Sequence, residues 1–253
     1  MSRRPAFRPA WAYRARVWRG SNARCRAVAS FSDQLVARAP LSSRVVNMIF
    51  EASEPFPRAA GQYATLTLAE GTNHSFSLAS PYSPSAPGRF EIAALLGTTA
   101  AALPELPVGS VVQVKGPGGS LVWKEDVPAL LVATGTGLSP MRAIVHEQLA
   151  RDCQVPLTLL FGCRDSSEEL WGEELSALAR QHARFRYIPT QSQPMPGYSG
   201  RTGRVQAHLA ELAHALGAEG RAYLCGHKPM VKDFTALLVE HGVPAERIHG
   251  ESY

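Results

Sequence analysis

Residues 128–151, PALLVATGTGLSPMRAIVHEQLAR, decide the fold. The opening PALLVAT is a continuous apolar run, the mark of a strand buried on both faces. Gly135 and Gly137 then let the backbone turn tightly and approach a phosphate. Ser139 and Pro140 open a helix whose free N–H groups and dipole favour an anion. Thr134, Gly135, Thr136, Gly137 and Pro140 are therefore candidate nucleotide contacts. The glycines fall short of a full G-x-G-x-x-G fingerprint, so the turn's position after a buried strand, at the head of a repeating pattern, carries more weight than the glycines themselves.

The same alternation repeats downstream. LTLLFGCR is followed by SSEELWGEELSALARQH, in which Ser166 and Glu169 have capping-box spacing. FRYIPTQS precedes RVQAHLAELAHAL, AYLCG precedes PMVKDFTALLVEHG, and RIHGESY closes the chain. Four strand–helix units and a last strand predict a doubly wound parallel α/β sheet. Cys225 and Gly226 end one of these strands, on the same carboxyl edge as Gly135, where such sheets bind ligands. Taken alone, Cys225 reads equally well as a small buried hydrophobe.

Upstream, the stretches around QLVARAP, SRVVNMIFEA, GQYATLTLA, SFSLAS, RFEIAALL and SVVQVKG are rich in Val, Ile, Thr, Leu and Phe and separated by Pro and Gly. About six strands without a long helix predict a small closed antiparallel β-barrel. The expected organisation is a basic extension over residues 1–32, a barrel over 33–125 and the α/β domain over 126–253.

The formal charge of +5 is misleading as a guide to partners. Residues 1–32 hold eight Arg and no acid, which leaves the other 221 residues at −3. A basic tail on a mildly acidic body is not the footprint of a nucleic-acid-binding fold. The four cysteines are widely spaced, with no C-x-x-C pair and no matching His cluster, so neither zinc nor an iron–sulfur cluster finds ligands and redox chemistry needs an organic cofactor. No run approaches the roughly 20 apolar residues of a membrane-spanning helix, which points to the cytoplasm. The Arg-rich first 30 residues suit either an organellar targeting peptide, which would place the protein in a stroma or matrix, or a disordered extension.

Taken in order, GQYATL, HSFSLAS, GTT, GPGGSL, GTGLSP, FGCR, CGHKPM and the terminal ESY resemble the ferredoxin–NADP reductase superfamily across residues 33–253. The resemblance implies a flavin-binding six-stranded barrel and a Rossmann-like NAD(P)-binding domain, which coincides with the architecture read above. It implies that Phe76 and Ser77 support the isoalloxazine ring, Ser77 through a hydrogen bond to the flavin N5. Leu78, Ala79 and Ser80 would continue along the flavin through backbone contacts, and Gly97, Thr98 and Thr99 would face its pyrophosphate. His74 stands where the family usually has Arg. It either contacts the cofactor's phosphate, with a single donor and a pH-dependent charge, or packs beside the adenine or ring edge. Tyr253 would stack on the flavin and yield to nicotinamide, and the CGHKPM segment, with Cys225, Gly226 and Met230, would meet the nucleotide.

The resemblance thus implies a flavin-dependent reductase: a hydride passes from NAD(P)H to FAD at a point lined by Ser77, Cys225 and Glu251, and electrons leave for a separate protein, quinone or small-molecule acceptor. Ser192 and Gln193, at the position where NADP-using relatives carry Ser-Arg, lean the reading towards NADH; Arg164 or Arg201 could restore the missing cation. The rival readings are a degenerate family member acting as a binding module and the electron-transfer subunit of a larger dehydrogenase. Oligomeric state and the choice of FAD over FMN have no signature in the sequence.

Overall fold

Alternating apolar and polar residues build the first sheet. The computed structural model describes residues 29–68, 71–97, 102–217 and 219–253. The first 28 residues of the expected extension, and Thr98 and Thr99, lie outside them. The strands are β1 (Ala29–Pro40), β2 (Val45–Ala52), β3 (Tyr63–Thr67), β4 (Asn73–Ser77) and β5 (Arg89–Leu95); after the short α1 (Ala102–Glu105) comes β6 (Val111–Gly118). They form one antiparallel sheet in the order β4-β3-β6-β1-β2-β5. An isolated bridge between Leu78 and Ile92 joins its two outer strands and closes the barrel. On β6, Val112 and Val114 point inward while Val111, Gln113 and Lys115 face outward, the period-2 pattern of a half-buried strand. The inward set packs with Leu35, Met48, Phe50, Phe56, Leu66 and Phe90.

The first strand begins four residues ahead of the expected start at Asp33. Residues 29–32, assigned to the extension from their neighbours' charge, pair with β6 from Ala29↔Gly116 to Ser32↔Gln113. Phe31 sets its ring edge-on to Phe56 at 5.2 Å, so apolar burial draws this segment into the barrel.

The second half alternates strand and helix: β7 (Ala129–Thr134), α2 (Leu138–Ala150), β8 (Leu157–Cys163), α3 (Gly172–Gln181), β9 (Phe185–Gln191), β10 (Arg201–Thr202), α4 (Leu209–Leu216), β11 (Arg221–Gly226), α5 (Lys228–Glu240) and β12 (Ile248–Ser252). All pairings are parallel, in the order β10-β9-β8-β7-β11-β12. Leu131, Ala133, Leu159, Phe161, Tyr223 and Cys225 pack on the face covered by α2 and α3. Leu130, Val132, Leu160 and Leu224 pack on the face covered by α4 and α5. Burial on both faces is why these strands read as unbroken apolar runs.

The capping box expected at Ser166 and Glu169 is not formed. Asp165 caps instead, accepting from the Ser167 N–H at 2.8 Å, and Ser166–Glu168 makes one 3-10 turn. Glu169 is extended because its carboxylate accepts from the Tyr187 hydroxyl at 2.9 Å. The chain then passes through Trp171 at φ +49° before α3 begins. A tertiary partner has outcompeted the local cap.

The barrel docks on the α2 face: Val45, Ala60, Ala93 and Leu121 join the core around Leu131 and Ile144. Every residue of α2 from Leu138 to His146 is buried as a result, which accounts for its weak amphipathic pattern.

Candidate functional site

The strand order reverses between β7 and β11, so their carboxyl ends open a crevice at the switch point of the sheet. The two ends touch backbone to backbone. A Cβ at Gly137 would lie 2.3 Å from the Cys225 carbonyl oxygen. One at Gly226, where φ is +155°, would lie 2.3 Å from Thr134 Oγ1 and 2.7 Å from Met230 Cε. Only glycine fits at either position. Gly135 to Gly137 form a single 3-10 turn that runs directly into α2, and Pro140 is buried in that helix's first turn.

Parallel pairing sets Glu251 beside Cys225 and Ser252 beside Gly226. Burial, with the Glu251 charge adding to it, pushes the Cys225 thiol up to about 12. Cys225 is therefore a neutral wall of the crevice and not a thiolate nucleophile. Burial also raises the Glu251 carboxyl above the usual range. The terminal Tyr253 folds back over the glycine turn: its hydroxyl donates to the Thr134 carbonyl at 2.9 Å and accepts from the Gly137 N–H at 3.3 Å.

The barrel reaches this edge through Tyr63, which the sequence reading did not single out. Tyr63 pairs with Ser77 across β3 and β4, so the two side chains share a face. Its ring rests on Gly118 and Gly119, where added Cβ atoms would come within 2.8 and 3.0 Å of it. A Cβ added at Gly119 would also lie 3.6 Å from Glu251 Oε1. Ser77, Tyr63, Gly119, Glu251 and Cys225 thus form a chain of neighbours that runs from the barrel to the sheet edge.

Not every expected residue belongs to that chain of neighbours. Phe76 pairs with Ala64 and packs against the barrel core. Leu78, Ala79 and Ser80 are buried, and several of their backbone groups are engaged within the protein. Leu78 N–H donates to Gln62 O at 2.9 Å and Ala79 N–H to Glu91 O at 2.7 Å, while the Ala79 and Ser80 carbonyls accept from Arg142 and Arg58. Barrel closure and the domain junction thus use four backbone groups of this segment. His74 lies on the same strand, one ring nitrogen 3.2 Å from Thr72 Oγ1; the antiparallel direction of the Leu78–Ile92 bridge carries it towards the end of β5, where Gly97 takes φ +71° in open space. Ser192 donates to the Cys163 carbonyl and Gln193 to that of Arg164, so Arg164 and Ser192 stand together at the ends of β8 and β9. β9 is two strands, about 10 Å, from β7. Arg201 is held away, forked onto Glu211 at 2.7 and 3.1 Å.

The donor set fits a bound dinucleotide and flavin. Among the described residues, Thr134 Oγ1, Ser139 Oγ and Glu251 Oε2 are buried without a hydrogen-bond partner, and all three belong to this carboxyl edge. Buried polar atoms are rarely left so unless a ligand or water completes them. The glycines at the strand ends let the backbones of β7 and β11 approach closely beside these atoms.

A closed antiparallel barrel joined to a doubly wound sheet, with a glycine turn at the switch point, defines a two-domain oxidoreductase. The comparisons with known proteins agree. Residues 131–236 match the oxidoreductase NAD-binding domain family. A ferredoxin–NADP reductase B from Sorangium cellulosum is 36% identical over 88% of this chain and 97% of its own length. The reductase component of phenol 2-monooxygenase from a Pseudomonas species is 31% identical over 79% of this chain, which spans 59% of that protein. The crystal structure of a ferredoxin NADP+ reductase from Neisseria gonorrhoeae with bound FAD and NADP superposes with a TM-score of 0.74 at 18% identity, covering 88% of this chain and 98% of that one. The chain belongs to the ferredoxin–NADP reductase family. It is an oxidoreductase that uses FAD and a pyridine nucleotide.

Proposed function

We propose that NAD(P)H is oxidised in the groove between barrel and sheet, with NADH preferred, and that the electrons pass to a separate acceptor protein. The observation that carries this reading is the adjacency of Tyr63, Gly119 and Glu251, which supports taking the Ser77 strand and the Cys225 strand end as opposite walls of one groove. FAD, when bound, supplies a two-electron acceptor that can release its electrons singly or in pairs. Ser77 offers a hydroxyl on the groove wall to hold or pass a proton through Oγ. The glycine turn and the first turn of α2 hold the nucleotide's phosphates, and Cys225 and Glu251 close the crevice against water. Tyr253, already hydrogen-bonded across the glycine turn, must move aside for the nucleotide. We keep the domain division between residues 125 and 126, with the barrel extended back to Ala29.

A separate acceptor accords with the relative named as a reductase component of a monooxygenase. The NADH preference rests on Ser192 and Gln193, which carry no cation, and on the capture of Arg201 by Glu211. Arg164 is drawn towards Glu168 at 3.7 Å. Among the described residues no helix is long and apolar enough to cross a membrane, and we place the chain in the cytoplasm, as suits bacterial relatives. Anaerobic reduction by each nucleotide tests the preference: NADH should bleach the flavin faster, and faster bleaching by NADPH would overturn it. An acceptor panel, with ferredoxin-type proteins set against quinones and dyes, should show the protein acceptors reduced fastest.

A further inference from the structure

Arg142 is a cation only 2% exposed, at the domain junction and unused by the chemistry proposed above. It sits five residues beyond Gly137 on α2, and its guanidinium reaches across to the barrel. Nη1 donates to the Ala79 carbonyl at 2.7 Å and to Glu91 Oε2 at 3.3 Å. Nε and Nη2 fork onto the two oxygens of Glu174 on α3 at 2.8 and 3.0 Å. The Trp171 ring lies under the guanidinium carbon at 4.8 Å.

Its acceptors are themselves held. Asn47 donates to Glu91 Oε2 at 3.0 Å, Ser80 Oγ accepts from the Glu91 N–H at 3.1 Å, and His146 lies 2.6 Å from Glu174. The Ala79 N–H is bound to Glu91 O, so Ala79 is fixed on both sides of its peptide. Much of the remaining docking surface is apolar, and apolar contacts can slide. Arg142 presents a planar fork with fixed directions, which cannot.

We propose that Arg142 is a positioning residue for hydride transfer: it fixes the flavin-side strand at Ala79 relative to the helix that begins at the nucleotide's glycine turn. The inference rests on the reading of the groove given above. Ala79 is two residues from Ser77, roughly 7 Å along an extended strand. Arg142 is five residues from Gly137, roughly 7 Å along a helix. Both walls of the groove are thus within a short rigid span of one side chain, and a misplacement of about 1 Å costs transfer rates on the order of 100-fold.

The test uses the full chain loaded with FAD, as wild type, Arg142→Lys, Arg142→Met and Arg44→Met, mixed anaerobically with NADH and with NADPH. Lysine keeps the charge but cannot span the barrel and α3 acceptors at once, and it serves even if the methionine variant fails to fold. Arg44→Met removes an exposed pair with Glu168 (3.5 Å) across the same junction and should keep the wild-type rate. In Arg142→Lys the limiting rate of flavin reduction should fall roughly 10- to 100-fold, with FAD content and nucleotide Kd unchanged. A merely structural role would lower the melting temperature and leave that limiting rate alone. Arg142→Lys reducing at the wild-type rate, or slowed only through weaker nucleotide or FAD binding, overturns the proposal. A wild-type protein that neither nucleotide reduces overturns the functional reading itself, and the clamp with it.

Discussion

Helix α2 joins two regions that treat buried polar groups in opposite ways. At its start, Thr134 Oγ1 and Ser139 Oγ are buried with no partner among the described residues, as is Glu251 Oε2 across the crevice. One turn further on, Arg142 meets Ala79, Glu91 and both oxygens of Glu174. The saturated region welds two domains, and the unsatisfied region awaits a ligand. Within a few residues of one helix, buried side chains thus pass from unpartnered, at Ser139, to well partnered, at Arg142. The same contrast divides two buried carboxyls. The Glu174 group, despite the cost of burial, is held down at about 2 by His146 and Arg142, whereas burial lifts Asp33, in the barrel, to about 7. Asp33 is fully buried, and neither of its oxygens has a partner among the described residues.

Filling the unsatisfied region should have the largest effect. Gly226→Ala places a methyl against Thr134 Oγ1 and Met230 in a backbone conformation that side chains avoid. Flavin reduction by NAD(P)H should fall roughly 100-fold or more, while FAD content, read from the absorbance spectrum, holds. Next, Glu174→Gln removes one carboxylate from the saturated region and should cost about 3–5 kcal/mol, read from denaturant midpoints, because Arg142 loses half of its charge compensation.

Asp33 should behave in the opposite sense. Its pKa in the fold, about 7, exceeds the ordinary 3.8, so its contribution to stability is fully present below pH 4 and lost as pH rises through 7. Asp33→Asn should therefore gain on the order of 2–4 kcal/mol at pH 8 and almost nothing at pH 4. Equal effects at both pH values would show that the carboxyl titrates normally. The smallest change belongs to Arg44→Met, where the exposed pair with Glu168 contributes about 0–1 kcal/mol; a larger loss would shift the weight of the junction away from Arg142.

The sheet domain was the more legible half. PALLVATG and AYLCG announce strands buried on both faces, and the glycine turn between β7 and α2 falls where the pattern changes period. Ala29 to Ser32 were obscured by the Arg-rich run before them, and β10, a two-residue edge strand, has no pattern to read. The capping box failed because Glu169 found Tyr187, a partner 18 residues away that no local rule includes. Gly135, Gly137, Cys225, Gly226 and Glu251 meet at one edge, because strand ends in such sheets share it. Tyr63 was not identifiable as a site residue, since its place opposite Ser77 depends on register across two strands. Leu78, Ala79 and Ser80 were assigned to the cofactor, and the fold uses their backbone to close the barrel and grip Arg142. The one available hint of the clamp was a lone Arg inside the otherwise apolar run PMRAIV, where a buried cation requires buried acceptors.

The central claim is that one groove holds both the flavin and the nucleotide face to face. Anaerobic stopped-flow mixing of the FAD-loaded protein with NADH tests it most directly. The flavin absorbance should bleach in a single phase whose rate saturates with NADH concentration. A flavin that stays fully oxidised in the presence of bound NADH or NADPH would contradict the claim.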